Sequence, residues 1–177
     1  MKLISGIFLG LFILCSFSVF HSDFLEWSEN RKLSFDDFKG IVPKNAKTSK
    51  SANITTVISY EARQEKGKIP KMTIFNFVDR STSWTTIKKK EVLEIQQIKF
   101  DYSELYARKI RKKMAEMNKK GITDQQKYLN EITKLASLSE KRQKKYSLLL
   151  DDQPHLIKIA QKDIQDSLAL YRDFAKQ

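Results

Sequence analysis

The feature that most constrains the fold is a single change of hydrophobic periodicity, which falls near residue 86. From Asn53 to Ala62 the side chains alternate with a period of two, which predicts a β-strand. The segment 64–70 contains Gly67 and Pro70 and predicts a hairpin connection. A second strand is predicted from Met72 to Asp79, apolar on both faces.

After residue 86 the apolar residues recur at steps of three and four, which predicts three helices. The first should run from about Lys88 to Asn118 and end at Gly121; its apolar stripe is Val92, Ile95, Tyr102, Leu105, Tyr106, Ile110, Met114 and Met117. Thr123 should cap the second, whose stripe is Tyr128, Ile132, Leu135, Leu138, Tyr146 and Leu149. After a break at Asp152 and Pro154, the third stripe is Ile157, Ala160, Ile164, Leu168 and Tyr171.

Before the strands, the segment 34–40 predicts one helical turn, with Ser34 as its N-cap and Gly40 as its terminator. Residues 42–51 contain Pro43 and several lysines and predict an exposed loop. Together these elements predict an α+β fold, in which a small antiparallel sheet is followed by three helices, in one domain covering residues 23–177.

Residues 1–22 have the pattern of a secretory signal peptide: Lys2 is followed by an uncharged apolar run from Leu3 to Phe20. Ser16 and Ser18 have the small-x-small spacing of a cleavage site, and cleavage after Ser22 is an alternative. The same run has the length of an uncleaved membrane anchor. A lipoprotein at Cys15 is a third interpretation, although Leu14 is bulky for that motif. All three predict an exported chain.

The 177 residues include one Cys and two His, and these counts exclude most enzyme classes. The predicted domain contains a single imidazole, His155, and no thiol, so it has no disulfide partner, cysteine nucleophile or His-rich zinc site. The glycines at 40, 67 and 121 are too few for a phosphate-binding loop. The adjacent acidic pairs at 36–37 and 151–152 are typical of caps and turns rather than of an acid/base dyad. The residues alone indicate no cofactor.

The chain is strongly basic, with 33 Lys and Arg against 21 Asp and Glu, a formal charge of +12. From Ile87 to the C-terminus 21 basic and 13 acidic residues leave a net charge of +8. At the end of the first helix a basic cluster consists of Lys109, Arg111, Lys112, Lys113, Lys119 and Lys120. This is either a solvated helix face or a surface for an anionic partner such as lipid or acidic polysaccharide. Because export is predicted, nucleic acid is not expected as a partner.

Two segments carry a family resemblance. The first is W-S-E-N-R-K-L-S-F-D-D-F-K-G, from Trp27 to Gly40, and the second is Ser83–Trp84 followed by V-L-E-I-Q-Q-I-K-F-D-Y-S-E-L-Y-A-R-K-I-R, from Val92 to Arg111. They resemble a bacterial family of secreted proteins described as zinc-dependent proteases, domain of unknown function nine-two-two. The resemblance implies a zincin-like scaffold. The matching scaffold residues include Trp27, Arg31, Leu33, Phe35, Asp37, Phe38, Gly40, Trp84, Glu94, Phe100, Asp101, Glu104, Tyr106 and Arg108.

The zinc-binding residues of that family are missing here. Its long helix carries His-Glu-x-x-His just before Phe-Asp, and this sequence has Ile95, Gln96 and Lys99 at those three places. Isoleucine cannot bind zinc, an amide cannot act as the general base, and an ammonium repels a cation. The family's later histidine would fall at Asp152, and His155 is out of register.

The resemblance therefore implies a degenerate member without metal or peptidase activity, which binds an unknown protein, peptide or envelope component. A basic envelope protein that binds anionic lipid or polysaccharide is the first alternative. The second is a divergent metallohydrolase that uses Glu94, Gln97, Asp101 or Glu104. In the inactive form we expect Ile95 to pack among apolar residues, and Lys99 to reach solvent or pair with a carboxylate.

Overall fold

The computed structural model describes residues 23–44, 46 and 52–176. The predicted leader, and with it the signal-peptide, anchor and lipoprotein interpretations, lies outside the described residues, as does most of the predicted loop at 42–51. The described elements are the strands β1 (Phe24–Glu26), β2 (Ala52–Arg63) and β3 (Lys71–Thr85) and the helices α1 (Lys90–Lys119), α2 (Gln125–Asp152) and α3 (Ile157–Leu170). Short 3-10 turns lie at Phe35–Asp37, Pro154–Leu156 and Arg172–Phe174. The α+β architecture, with a small antiparallel sheet before three helices, is confirmed.

The sheet is antiparallel, with β3 between β1 and β2. The hairpin predicted at 64–70 connects β2 to β3, and Gly67 supplies a positive φ of 74° at its tip. The pairing sets Ile58 opposite Asn76 and places a register irregularity between Asn53 and Thr55. β3 extends to Thr85, beyond the predicted end at Asp79, because its second half pairs with the first residues of β2.

α1 is the central element and packs against the sheet, α2 and α3. The sheet contributes Ile74 and Val78 to its contacts. At its C-terminal half Ile110, Met114 and Met117 meet residues of α2 in the main core cluster. Because α1 is covered on several sides, it buries both polar and apolar residues between Ile95 and Arg108. Its bounds are within two residues of the predicted ones.

Three local predictions are wrong. Asp124, rather than Thr123, caps α2, since its carboxylate accepts a hydrogen bond from the Gln126 amide. Leu138 and Leu149 are about 40 % and 39 % exposed, because the middle of α2 faces a polar strand edge and buries Ser139 and Gln143 instead. The α3 stripe from Ile157 to Leu168 is buried as predicted.

Gly40 is the third. The 3-10 turn follows Ser34 as predicted but ends before Gly40, so Gly40 does not terminate it. Instead its amide donates to the Ser83 carbonyl at 2.7 Å. A Cβ at Gly40 would lie 2.8 Å from the Ser81 oxygen and 2.9 Å from the Ser83 oxygen. The glycine is therefore required by a close approach of two backbone segments.

Candidate functional site

The residues at the family's zinc positions form structural contacts. Ile95 is buried with Leu150, Ile157 and Ala160, so the expected apolar packing is confirmed. The Gln96 side-chain oxygen accepts hydrogen bonds from the Ile54 amide at 3.1 Å and the Lys99 ammonium at 3.3 Å. This glutamine therefore joins α1 to the N-terminal end of β2.

Lys99 does not reach solvent, so that part of its expected environment is wrong. Its residue exposure is only 8 %. The ammonium donates to the Asn53 side-chain oxygen at 3.0 Å and approaches the Ile54 carbonyl oxygen at 3.4 Å. These oxygens and that of Gln96 converge on the cation, and such hydrogen bonds reduce the cost of burying an ammonium. The physical reason for burial is that β2 begins directly over this turn of α1.

Asp152, at the position of the family's later histidine, is exposed at the C-terminal end of α2. The α2 residue that packs against Ile95 is Leu150, so Asp152 takes no part in that contact. His155 is also exposed, in the 3-10 turn before α3. Within 23–44, 46 and 52–176 no group of three or more His, Cys, Asp or Glu residues is arranged to hold a metal ion.

A polar groove lies between β2 and α2 and contains Lys99 at its inner wall. It consists of two adjoining cavities of about 350 and 190 Å³, which share Thr56, Glu140 and Gln143 in their linings. β2 is an edge strand among the described strands, so the sheet does not pair its backbone groups on this side, although Gln96 and Lys99 of α1 already bond those of Ile54. Thr56 donates to the Gln143 side-chain oxygen at 2.9 Å across the groove.

The described lining of the groove includes several hydrogen-bonding side chains. It contains hydroxyls, amides, Lys99, Lys144 and Glu140, which can hydrogen-bond an extended chain or a polar ligand. The Gln143 amide nitrogen bonds the Ser139 hydroxyl at 3.0 Å, and no imidazole or thiol lines either cavity.

The two resemblance segments meet on the other side of α1. The Trp27 indole donates to the Asp101 carboxylate at 2.8 Å, and the Arg108 guanidinium lies 5.1 Å from the centre of the Trp27 ring. Glu104 pairs with Arg108, four residues further along α1, at 3.1 Å, and with Arg111 at 2.9 Å. These contacts give the scaffold residues a structural role in joining the N-terminal segment to α1.

Asp37 is held by arginines. It is fully buried, and its carboxylate lies 2.8 Å from Arg31 and 3.3 Å from Arg80. It also accepts a hydrogen bond from the Ser34 amide at 2.8 Å. Burial alone would raise the pKa of Asp37, but the Arg31 hydrogen bond, the Ser34 amide and the two guanidinium charges together lower it.

Asp101, by contrast, accepts hydrogen bonds from uncharged side chains. Burial raises its pKa, and the hydrogen bonds from Trp27 and Gln97 and the charge of Lys32 offset this only in part. The Gln97 amide nitrogen donates at 2.8 Å and the Gln165 amide nitrogen at 3.1 Å. Gln97 also accepts from the Leu33 amide at 2.7 Å, so it links α1 to the segment after β1.

The other scaffold residues are mainly core or surface residues. Trp84 and Tyr106 are buried, and Phe38 packs against the Leu33 cluster. Glu94 is half-buried and pairs with Lys158 at 3.1 Å and Lys90 at 3.9 Å. Sequence reasoning missed Gln143, Gln161 and Gln165 as lining residues. Gln143 is buried, Gln161 is half-buried and Gln165 is exposed, so the helical pattern does not distinguish them from surface residues until the neighbouring elements are placed.

The basic cluster is partly organised by tyrosines. The Lys109 ammonium lies 4.7 Å from the Tyr106 ring centre and 5.8 Å from that of Tyr171, and the Lys112 ammonium lies 5.5 Å from the Tyr171 ring centre. Burial lowers the pKa of Lys109, and the positive charge of Arg142 lowers it further. No carboxylate among the described residues lies within ion-pair distance of Lys109 or Lys112.

No helix in the described part of the chain has the length and hydropathy needed to cross a membrane. Comparison with models of protein families, with curated proteins and with solved structures finds no match to this chain. The family resemblance therefore rests on the two segments alone.

Proposed function

We propose that the chain is an exported, catalytically inactive, zincin-like protein that binds a peptide, protein segment or envelope component in the groove between β2 and α2. The observation that supports this most is the use of Gln96 and Lys99 as supports for β2. Gln96 bonds the Ile54 amide, and Lys99 bonds Asn53 and the Ile54 carbonyl. A zinc ion there would require breaking these contacts and removing a buried cation.

The groove gives the binding role a physical basis. The edge of β2 and the hydroxyl and amide groups opposite it can form hydrogen bonds with an extended chain. Lys144 and Glu140 at the same groove add one charge of each sign, which favours a ligand with polar groups rather than a purely apolar one.

Metal content and proteolysis test the inactive assignment. Protein lacking residues 1–22 is purified without chelator, its zinc is measured by mass spectrometry, and casein cleavage is followed with an active zinc protease as the positive control. We expect substoichiometric zinc and no cleavage. One zinc per chain, together with cleavage that a chelator abolishes, would contradict the proposal.

Adsorption to an anionic surface is a second candidate function, which the Lys109 cluster favours. The Lys109 and Lys112 ammonium groups lie against the Tyr106 and Tyr171 rings, and the positive charge of Arg142 acts on Lys109, so anionic headgroups or uronates would reduce the mutual repulsion of these three cations. Co-sedimentation with anionic vesicles should weaken steeply as salt is raised. The double variant Lys109→Gln/Lys112→Gln should bind less, whereas Lys162→Gln, whose lysine is already paired with Asp166, should match the wild type. No co-sedimentation at low salt would exclude this function.

A further inference from the structure

Another cavity lies on the side of α1 that faces away from the β2–α2 groove. Its volume is about 460 Å³, which is within the range of small-molecule sites. Glu94, Gln97 and Asp101 on α1 line it, three or four residues apart and therefore on one helix face. Gln96 and Lys99 lie on the opposite face, so the cavity and the groove are separate.

The cavity combines apolar walls with one buried charge. Leu33, Leu93 and Ile98 form the apolar part, and the Gln161 and Gln165 side chains of α3 close the other side. Asp101 lines the same cavity and is only 2 % exposed. An apolar pocket with a few convergent polar groups is the usual form of a binding site for a small organic molecule.

Asp101 is a buried carboxylate without a cationic partner in the described residues. Its three hydrogen bonds come from an indole and two amides, and no Lys or Arg of the described chain lies within ion-pair distance. By contrast, Asp37 and Glu104 each contact two arginines. A buried anion is stabilised much more by a hydrogen-bonded cation than by neutral donors.

The oxygen atoms of Asp101 and Gln165 can accept further hydrogen bonds, which favours a ligand group that donates them. One Asp101 oxygen accepts from Trp27 and Gln97, but the other accepts only from Gln165 among the described residues. Gln165 is exposed, and its side-chain oxygen accepts no hydrogen bond from the described residues, so a ligand donor can replace water there. A carboxylate and an amide oxygen together match an ammonium group, which donates three hydrogen bonds and accepts none.

We propose that this cavity binds a protonated primary amine carried on a short hydrocarbon chain. The ammonium pairs with Asp101 and donates to Gln165, and the hydrocarbon lies against Leu33, Leu93 and Ile98. Lys32 and Lys90 at the rim are exposed, so water screens their charges more than the charge of a group next to Asp101. The site does not depend on the proposed function of the groove.

Three probes of equal chain length test the charge preference: hexylamine, hexan-1-ol and hexanoate. Binding is followed by the NMR signal of the Trp27 indole N–H, which donates to Asp101 and is one of only two tryptophan indoles in the chain. We expect saturable shifts of this signal with hexylamine, at least about tenfold weaker binding of hexan-1-ol, and still weaker binding of hexanoate.

The Asp101→Asn variant removes the charge and keeps the side chain's size. We expect hexylamine to bind it about tenfold more weakly, with the affinity of hexan-1-ol little changed. If Asp101→Asn does not fold, Leu93→Phe, at a half-buried wall, should weaken both the amine and the alcohol. Lys134→Gln, at an exposed residue of α2 that does not line the cavity, is the matched control and should leave both unchanged. Equal binding of hexylamine and hexanoate, unchanged hexylamine affinity in the variants, or no Trp27 shift at millimolar hexylamine would each overturn the proposal.

Discussion

Asp37 and Asp101 are both buried carboxylates, but their hydrogen-bonding partners differ in charge. Asp37 lies between two arginines, and its pKa is lowered. Asp101 has only neutral hydrogen-bond donors, and burial raises its pKa. The charge of Asp37 is balanced by the two arginines, and these contacts join the segment after β1 to β3. The neutral donors of Asp101 leave a buried carboxylate that no described cation contacts, beside a cavity of about 460 Å³, and this arrangement is typical of a binding residue.

The strongest test of the arginine-paired arrangement is at Glu104. Glu104→Ala would leave Arg108 buried without its carboxylate and remove a partner of Arg111. We expect the free energy of unfolding to fall by about 3–5 kcal/mol, since an unpaired buried charge is left. Urea unfolding measures this. The control Glu94→Ala, at a more exposed carboxylate, should lose about 1 kcal/mol or less; equal losses in the two variants would contradict the assignment.

The two aspartates should differ in the same assay. Asp37→Asn removes charged hydrogen bonds to Arg31 and Arg80, and we expect a loss of about 1.5–3 kcal/mol near neutral pH. Asp101→Asn keeps an oxygen for Trp27 and Gln97 and removes an unpaired buried charge, so the loss should be about 1 kcal/mol or less. A larger loss at Asp101 than at Asp37 would show that neutral donors stabilise the buried charge as well as arginines do.

The same comparison extends to the cation on the other face of α1. Ile95→His/Gln96→Glu/Lys99→His restores the family's motif, but it breaks the Lys99 contacts and places polar groups in an apolar cluster. We expect a loss of about 1–3 kcal/mol in unfolding free energy and no protease activity. Casein cleavage by the triple variant would show that the catalytic cleft persists.

The pH dependence of stability should separate the two aspartates by sign. For Asp37, whose folded pKa is below the ordinary 3.8, the advantage of the wild type over Asp37→Asn is present above that value and is lost as pH falls through the folded pKa. For Asp101, whose folded pKa is above 3.8, the contribution is present below that value and is lost as pH rises through the folded pKa. Urea unfolding between about pH 3 and pH 7 measures both. Parallel pH profiles of the two variants would contradict the opposite shifts.

The sequence predicted what depends on local periodicity. The hairpin around Gly67, the long helix α1 and the buried stripe of α3 all follow from spacing within one element. It did not predict the burial of Lys99 or the exposure of Leu138, because both depend on where β2 lies relative to the helices. The same limit applies to the Asp101 cavity. Its residues come from the segment after β1, from α1 and from α3, and no spacing rule relates them.

Gln96 and Lys99 support β2 from α1, and we expect that these two residues and Ile95 bind no metal ion. This is tested by thermal unfolding of the wild-type protein with and without equimolar zinc, because an ion that binds only the folded state raises the unfolding temperature. We expect the same unfolding temperature in both samples and in a third that contains chelator. The opposite result is an unfolding temperature that rises with zinc, returns to its original value with chelator, and responds differently to zinc in Lys99→Met. That result would show that a metal ion binds at these residues.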